Sequence, residues 1–183
     1  VPGLVVNLRN NYAQDLQLSS RGFGARATFG IRGLRLYTDG IPATMPDGQG
    51  QASTIALGSA QRIEVLRGPL AQLYGNAAGG VVQVFTGTDA TVPTLSTSVG
   101  VGPYGQTKFG LKFGQNSERD SVVLDAARYA TNGYREHSDA LRTQLNAKWE
   151  HVIDRDSSIS LVANSFDQPL SLDPGGLTRA QWE

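Results

Sequence analysis

The chain has 183 residues with 16 Lys+Arg against 16 Asp+Glu, a formal net charge of zero, which excludes a strongly basic nucleic-acid binder and an acidic disordered tail. Charged residues make up 17 %, below the ~25 % usual for soluble domains, and 22 glycines exceed the usual share of about 7 %. There is no cysteine, so a disulfide scaffold, a thiolate zinc site and a thiol nucleophile are excluded, and His137 and His151 alone offer little for imidazole-based metal binding.

No apolar run approaches the ~18 residues of a membrane-spanning helix, so contact with a membrane would be made by strands. The chain begins Val1-Pro2-Gly3 without an initiator and ends Gln181-Trp182-Glu183 within a polar stretch, and is expected to be a piece of a longer, processed polypeptide.

The two halves differ in charge. Residues 1–92 carry seven basic and five acidic residues, all seven bases being arginine. Residues 93–183 carry nine basic and eleven acidic residues and all three lysines. The Gly/Thr/Pro stretch from Gly87 to Pro93 reads as the linker between them.

The first half is expected to be a small mixed α/β unit of short strands and turns. Leu34, Leu36 and Thr38 alternate with Arg35 and Tyr37 before an Asp39-Gly40 turn. Ile63 and Val65 alternate with Glu64 and Leu66, and Gly68-Pro69 ends that strand. Pro69 and Gly75 bracket a one-turn helix, Leu70 to Tyr74. Small residues from Asn76 to Gly80 form a loop, and Val81 to Phe85 read as a buried strand.

Period-2 alternation dominates the second half. Leu95, Thr97, Val99 and Val101 share one face, then Thr107, Phe109, Leu111 and Phe113. Weaker alternation runs over Val122–Arg128 and Ile159–Phe166. Between them, Leu141, Thr143, Leu145, Ala147, Trp149, His151 and Ile153 oppose Arg142, Gln144, Asn146, Lys148 and Glu150. Segments of this length with one apolar and one polar face, separated by polar turns, predict a five-strand antiparallel meander. A soluble sheet alternates too. Aromatic residues near strand ends (Phe113, Tyr129, Trp149, Phe166) and a continuous lysine-bearing polar face point instead to a membrane barrel. Five strands cannot close one, since the smallest have ~8, so further strands are expected.

Six blocks in order carry a family resemblance: Val1-Pro2-Gly3-Leu4-Val5-Val6, Arg21-Gly22-Phe23-Gly24, Leu36 to Pro42, Gln61 to Pro69, Leu73-Tyr74-Gly75, and Ala78 to Thr86. Together they resemble the plug domain of TonB-dependent outer-membrane receptors, with Ser20 and Gln83 as departures where an aliphatic residue and asparagine are usual. The second half resembles the family only as generic barrel strands following a plug. The resemblance implies a mixed α/β plug domain over residues 1–88, followed over 89–183 by the first antiparallel strands of an incomplete transmembrane β-barrel.

It further implies a Gram-negative outer-membrane receptor that imports a metal chelate, most readily a ferric siderophore or ferric citrate-like complex. Partners are then the chelate, the energy-coupling protein TonB and outer-membrane lipid, with no nucleic acid. Arg62, Glu64 and Arg67 match plug positions that latch onto barrel carboxylates, and arginine forks suit such pairing. In the loop from Pro42 to Ser53, Gln49 and Gln51 are candidate ligand donors, with Arg26 as an electrostatic aid for an anionic, oxygen-rich complex. No catalytic constellation, resident cofactor or metal site is expected: the Gly22-x-Gly24-x-x-Ala27 spacing lacks the strand and helix of a dinucleotide loop, and Ser19 and Ser20 have no base nearby. The alternatives are a receptor of the same architecture that senses or imports another nutrient, and a soluble β-rich binding or adhesion module.

Overall fold

Apolar runs broken by glycine and proline make only short strands in the first 86 residues. In the computed structural model, which describes residues 2–9 and 11–176, β1 (Leu4–Asn7) and β2 (Gln17–Ser20) pair as an antiparallel ribbon. The strands β3 (Arg35–Thr38), β4 (Ile41–Pro42), β5 (Ala60–Leu66) and β6 (Val81–Thr86) form a sheet in the order β4-β3-β6-β5. Within it β3 and β6 run parallel, with Leu36 beside Val82.

The sequence predicts β3, β5 and β6, while β1, β2 and β4 are too short to stand out as periodic patterns. Val1 of the first resemblance block and the 181–183 end lie outside the described residues.

The one-turn helix expected at Leu70–Tyr74 is a 3-10 turn, Gly68–Tyr74, joined by two further 3-10 turns, Ala52–Thr54 and Leu57–Ser59, and no α-helix occurs among the described residues. Gly68 and Gly75 both hold positive φ and close the longest of them. Seven residues between two such breaks favour the tighter i→i+3 ladder over a sustained α-helix. Leu18, Ile31, Leu34 and Leu36 form one buried cluster, and Ala71, Ala77 and Val81 a second, packed by Tyr37, Leu66 and Tyr74. Gly24 is needed where the chain bends over the first cluster: φ is +80° and a Cβ would meet the carbonyl oxygens of Arg32 and Leu18 at 2.7 Å.

The second half is a five-stranded antiparallel meander of β7 (Thr94–Gly102), β8 (Gln106–Asn116), β9 (Asp120–Thr131), β10 (Ala140–Val152) and β11 (Ser158–Ser171). Register fixes which residues share a face, because directly paired side chains point the same way. One row runs Val99–Phe109–Arg128–Thr143–Asp167, and another Thr97–Leu111–Ala126–Leu145–Ser165. These rows belong to the face turned away from the N-terminal unit.

The opposite face carries Lys112, Asp125, Asn146 and Asn164 in one continuous row. On β9, Leu124 is 47 % exposed while its neighbour Asp125 is 7 % exposed. The sheet therefore covers its polar face and exposes its apolar one, the reverse of a half-buried soluble sheet. Tyr129 and Phe166 depart from the strand-end pattern expected of them: their register partners Arg142 and Gln144 set both on the inner face. Phe113, paired with Leu124, and Trp149, paired with Val122, stay on the outer one.

Replacing Gly24 with alanine should destabilise the N-terminal unit by at least about 1–3 kcal/mol, from the strained dihedral and the carbonyl contacts together. Faster hydrogen exchange at the Ile31, Leu34 and Leu36 amides, with the β8–β10 amides unchanged, is the measurement expected to show it.

Candidate functional site

The polar face of the meander is covered because the N-terminal unit lies on it through a seam of hydrogen bonds. The strongest contact joins β10 to the turn after β3. Lys148 Nζ donates to Asp39 Oδ1 at 2.9 Å and to the Thr86 carbonyl at 3.1 Å. Asp39 in turn accepts from the Thr86 amide at 2.9 Å and the Thr86 hydroxyl at 2.5 Å. The Asp39 side chain is 3 % exposed and that of Lys148 is 11 %. Asp39 reaches this position because the Asp39-Gly40 turn puts both residues at positive φ, 50° and 79°, and aims the carboxylate along β6. Glu150 adds a second, half-exposed partner for Lys148 at 3.4 Å.

Further along β10, Gln144 Nε2 donates to the Ser53 carbonyl at 2.8 Å. Ser53 is itself fixed by Asp15, whose carboxylate accepts the Ala52 and Ser53 amides at 2.7 and 3.2 Å. Burial pushes the Asp15 carboxyl above its ordinary value, against the pull of those amides. Gly58 passes directly over Asp125, where a Cβ would lie 2.5 Å from the carboxylate, so glycine permits the close approach. At the end of the sheet bearing the Asn132–Asp139 connection, the Tyr12 hydroxyl hydrogen-bonds that of Tyr129 and Gln168 Nε2 donates to the Tyr12 carbonyl at 2.9 Å.

Between the seam and the sheet lies a cavity of about 870 Å³. Its wall includes Arg9, Tyr12, Tyr104, Lys108, Tyr129, Tyr134, Arg142 and Gln168 towards that end, and Lys112 and Asp125 deeper in. The Arg142 guanidinium lies 5.1 Å from the Tyr129 ring centroid, and Tyr104 and Tyr134 meet edge to face at 5.6 Å. Cations and phenols set among largely apolar walls suit an anionic ligand with aromatic or oxygen-rich surface.

The residues singled out from sequence lie elsewhere. Arg62 Nη1 and Glu64 Oε1 are 3.2 Å apart, and the Arg62 guanidinium lies 4.3 Å from the Phe85 ring centroid. Arg67 Nη1 donates to the Pro2 carbonyl at 2.5 Å. Arg62 and Glu64 sit on β5, an edge strand, and Arg67 follows it. Among the described residues none of the three hydrogen-bonds to β7–β11.

Gln49 accepts from Arg32 Nη2 at 3.4 Å and packs over Gly30, where a Cβ would meet it at 2.3 Å. Gln51 and Arg26 are exposed, and none of the three glutamine and arginine candidates lines the cavity. The structure adds Asp39, Lys148, Tyr12, Tyr129 and Arg142, which the sequence analysis missed as site residues. A signal existed for Lys148, the single lysine on the polar face of β10; Tyr12 lies in an aperiodic segment and gave none.

The model of the TonB-dependent receptor plug domain matches residues 1–81. A hemin receptor of Yersinia pestis is 29 % identical over 176 residues, spanning 87 % of this chain and 25 % of the relative. The pyoverdine outer membrane receptor FpvA of Pseudomonas aeruginosa superposes with a TM-score of 0.71 at 17 % identity, over 91 % of this chain and 24 % of that one. The ferric yersiniabactin uptake receptor FyuA of Yersinia pestis gives 0.68 at 21 % identity, over 90 % and 27 %. The chain thus spans about a quarter of the length of the relatives it matches.

A small β-rich unit seated on the polar face of a meander defines the class: a plug against a β-wall. The match of residues 1–81 to the plug-domain model, and the fold shared with the solved receptors, make this chain similar to TonB-dependent receptors.

Two outcomes are expected of the seam. Lys148→Met leaves the Asp39 carboxylate buried without its counter-charge, at a cost of roughly 3–5 kcal/mol. In the full-length receptor, chemical denaturation should show that loss, and the Asp39→Asn/Lys148→Met double variant should recover part of it.

Asp173, in the segment after β11, accepts from Asn11 Nδ2 at 3.3 Å and Gln14 Nε2 at 2.8 Å. The Gly175 amide first, and then Gln14, hold its carboxyl below the ordinary value of 3.8. A depressed carboxyl stabilises the folded state above 3.8 and loses that contribution as pH falls through its folded value. Hydrogen exchange across 11–14 and 172–176 should therefore rise together only below about pH 4, and Asp173→Asn should abolish that pH response.

Proposed function

We propose that this chain is the plug and the first five wall strands of an outer-membrane receptor that imports an iron(III) chelate. In this reading the plug spans about residues 1–88, the wall begins at 89, and strands beyond this chain close the barrel by pairing with β7 and β11. One observation carries it: the meander turns its apolar face outward and rests its polar face on the plug. In lipid that arrangement satisfies both faces, whereas in water the outer leucines and phenylalanines form a contiguous exposed patch. This separates the membrane reading from a soluble binding or adhesion module.

Orientation follows from the connections. Barrels of this kind have short turns on the periplasmic side and longer loops outside. The Asn132–Asp139 connection is the longest of the four, so its end is extracellular and the Ser117–Arg119 and Ile153–Ser157 turns are periplasmic. The tyrosine- and arginine-lined end of the cavity then faces the medium, where ligand arrives. Iron is favoured over other cargo by the hemin and ferric yersiniabactin receptors among the similar proteins and by donors suited to an anionic, oxygen-rich complex. With no thiolate and no paired imidazole, these residues recognise the complex rather than a bare soft metal.

Gln49, Gln51 and Arg26 form a second group on the plug surface available to the same ligand. Arg62, Glu64 and Arg67 lie along the β5 side, where the remaining barrel wall would bring acidic partners. TonB is the proposed energy source.

The test is ligand binding to the full-length receptor in detergent, with hemin, ferric citrate and ferric catecholate and hydroxamate siderophores as probes and cobalamin as the contrast. At least one ferric chelate should bind, and Arg142→Ala should weaken it about tenfold, near 1.4 kcal/mol, with Gln49→Ala and Gln51→Ala each giving smaller losses. Binding of cobalamin alone, or of no ferric chelate, overturns the iron assignment.

A further inference from the structure

The outer face of the wall carries Arg128 and Asp167 towards one end and a hydrogen-bonded carboxylate at the other, which becomes the periplasmic rim. Asp120 opens β9, and its register partner on β10 is His151. His151 Nδ1 donates to Asp120 Oδ1 at 2.8 Å and Trp149 Nε1 donates to the same oxygen at 3.0 Å. The indole and imidazole rings stack at 5.7 Å with an interplanar angle of 26°. With Nδ1 as donor, His151 keeps Nε2 as an acceptor, and among the described residues nothing donates to Asp120 Oδ2. Ile159 continues the row beyond His151, and Val122 pairs with Trp149 in the next row, so a carboxylate is held open at the edge of a hydrocarbon-facing surface.

An outward carboxylate at that depth is unfavourable in lipid, and here its position is built by two side-chain donors. Among the described residues no lysine or arginine forms an ion pair with it, since Lys148 on β10 faces inward to Asp39 and Glu150. Arg119, the residue before Asp120, lies in the turn between β8 and β9, close enough to act on the Asp120 carboxylate electrostatically. Carboxylate and acceptor nitrogen on one side and a guanidinium next along the chain complement a zwitterionic headgroup with a donating ammonium and a phosphate. An indole at the same level is the side chain that favours the membrane–water boundary.

We propose that Asp120, His151 and Trp149, with Arg119, form a binding site for the headgroup of phosphatidylethanolamine in the periplasmic leaflet. The primary ammonium donates to Asp120 Oδ2 and His151 Nε2, the phosphate pairs with Arg119, and the acyl chains run up the Leu124–Leu145 band. Phosphatidylcholine, whose quaternary ammonium has no N–H, and phosphatidylglycerol, which has no cation, each lack a required half.

This inference rests on the membrane orientation proposed above, and the experiment separates the two. The full-length receptor is exchanged into nanodiscs of phosphatidylethanolamine/phosphatidylglycerol or phosphatidylcholine/phosphatidylglycerol, and the lipids retained on release into detergent are counted by native mass spectrometry. The wild type should retain phosphatidylethanolamine over phosphatidylcholine by about fivefold, near 1 kcal/mol. Asp120→Asn keeps an acceptor for Trp149 and should remove the preference, and Asp120→Glu should restore it. Equal retention of both lipids by the wild type, or an unchanged preference in Asp120→Asn, overturns the site while leaving the barrel reading intact. Failure to enter nanodiscs of either lipid overturns both. If Asp120→Asn does not fold, the wild-type comparison between the two lipids decides the matter alone.

Discussion

A buried charge without a partner is among the costliest errors a fold can contain, and in this chain one ion pair across two units prevents it. Asp39 is nearly inaccessible, and its only cationic partner among the described residues is Lys148 on the fourth strand of the meander. Around that pair the rest of the seam follows. Thr86 closes the carboxylate from the β6 side, Gln144 holds the Ala52–Thr54 turn, and Gly58 lets the next turn lie flat over Asp125. The polar face of the wall is thus a surface matched to one particular plug.

The same constraint explains why so little of the plug surface that looks functional touches the wall. Arg62 and Glu64 are charged and on an edge strand, with Arg67 just after it, yet among the described residues none of the three pairs with the five strands. In the barrel reading proposed above, a plug meets wall on every side and the five strands are one side of that contact. Leu70 and Leu73 are among the apolar side chains exposed on this unit, where the proposed reading would place further wall.

Much of this was legible in the sequence, and what was not had physical reasons. Leu141 to Ile153 announced both the strand and its two faces, because thirteen residues of strict alternation leave no other periodic reading. The direction of those faces was harder, since alternation is blind to which side is buried; the aromatic residues near strand ends misled at Tyr129 and Phe166, which face inward. The plug strands β1 and β4 were invisible, being four and two residues long and held by pairing rather than propensity. The seam itself could not be read from spacing, because Asp39 and Lys148 are joined only by the tertiary structure. The glutamines of the Pro42–Ser53 loop stood out by composition, while Tyr12, in the segment between β1 and β2, carried no motif.

Where Lys148 sits also bears on how the molecule is assembled. A slip of one residue in the β9–β10 register would carry Lys148 to the opposite face and leave Asp39 with no cation. The plug can therefore satisfy its buried carboxylate only after four successive hairpin-linked strands have paired in register, which makes docking a late event that checks the wall already built. Contacts 109 residues apart in the chain close slowly, and until this one closes the plug is a loosely tethered passenger, open to proteases and to chaperones that recognise unfinished β-structure.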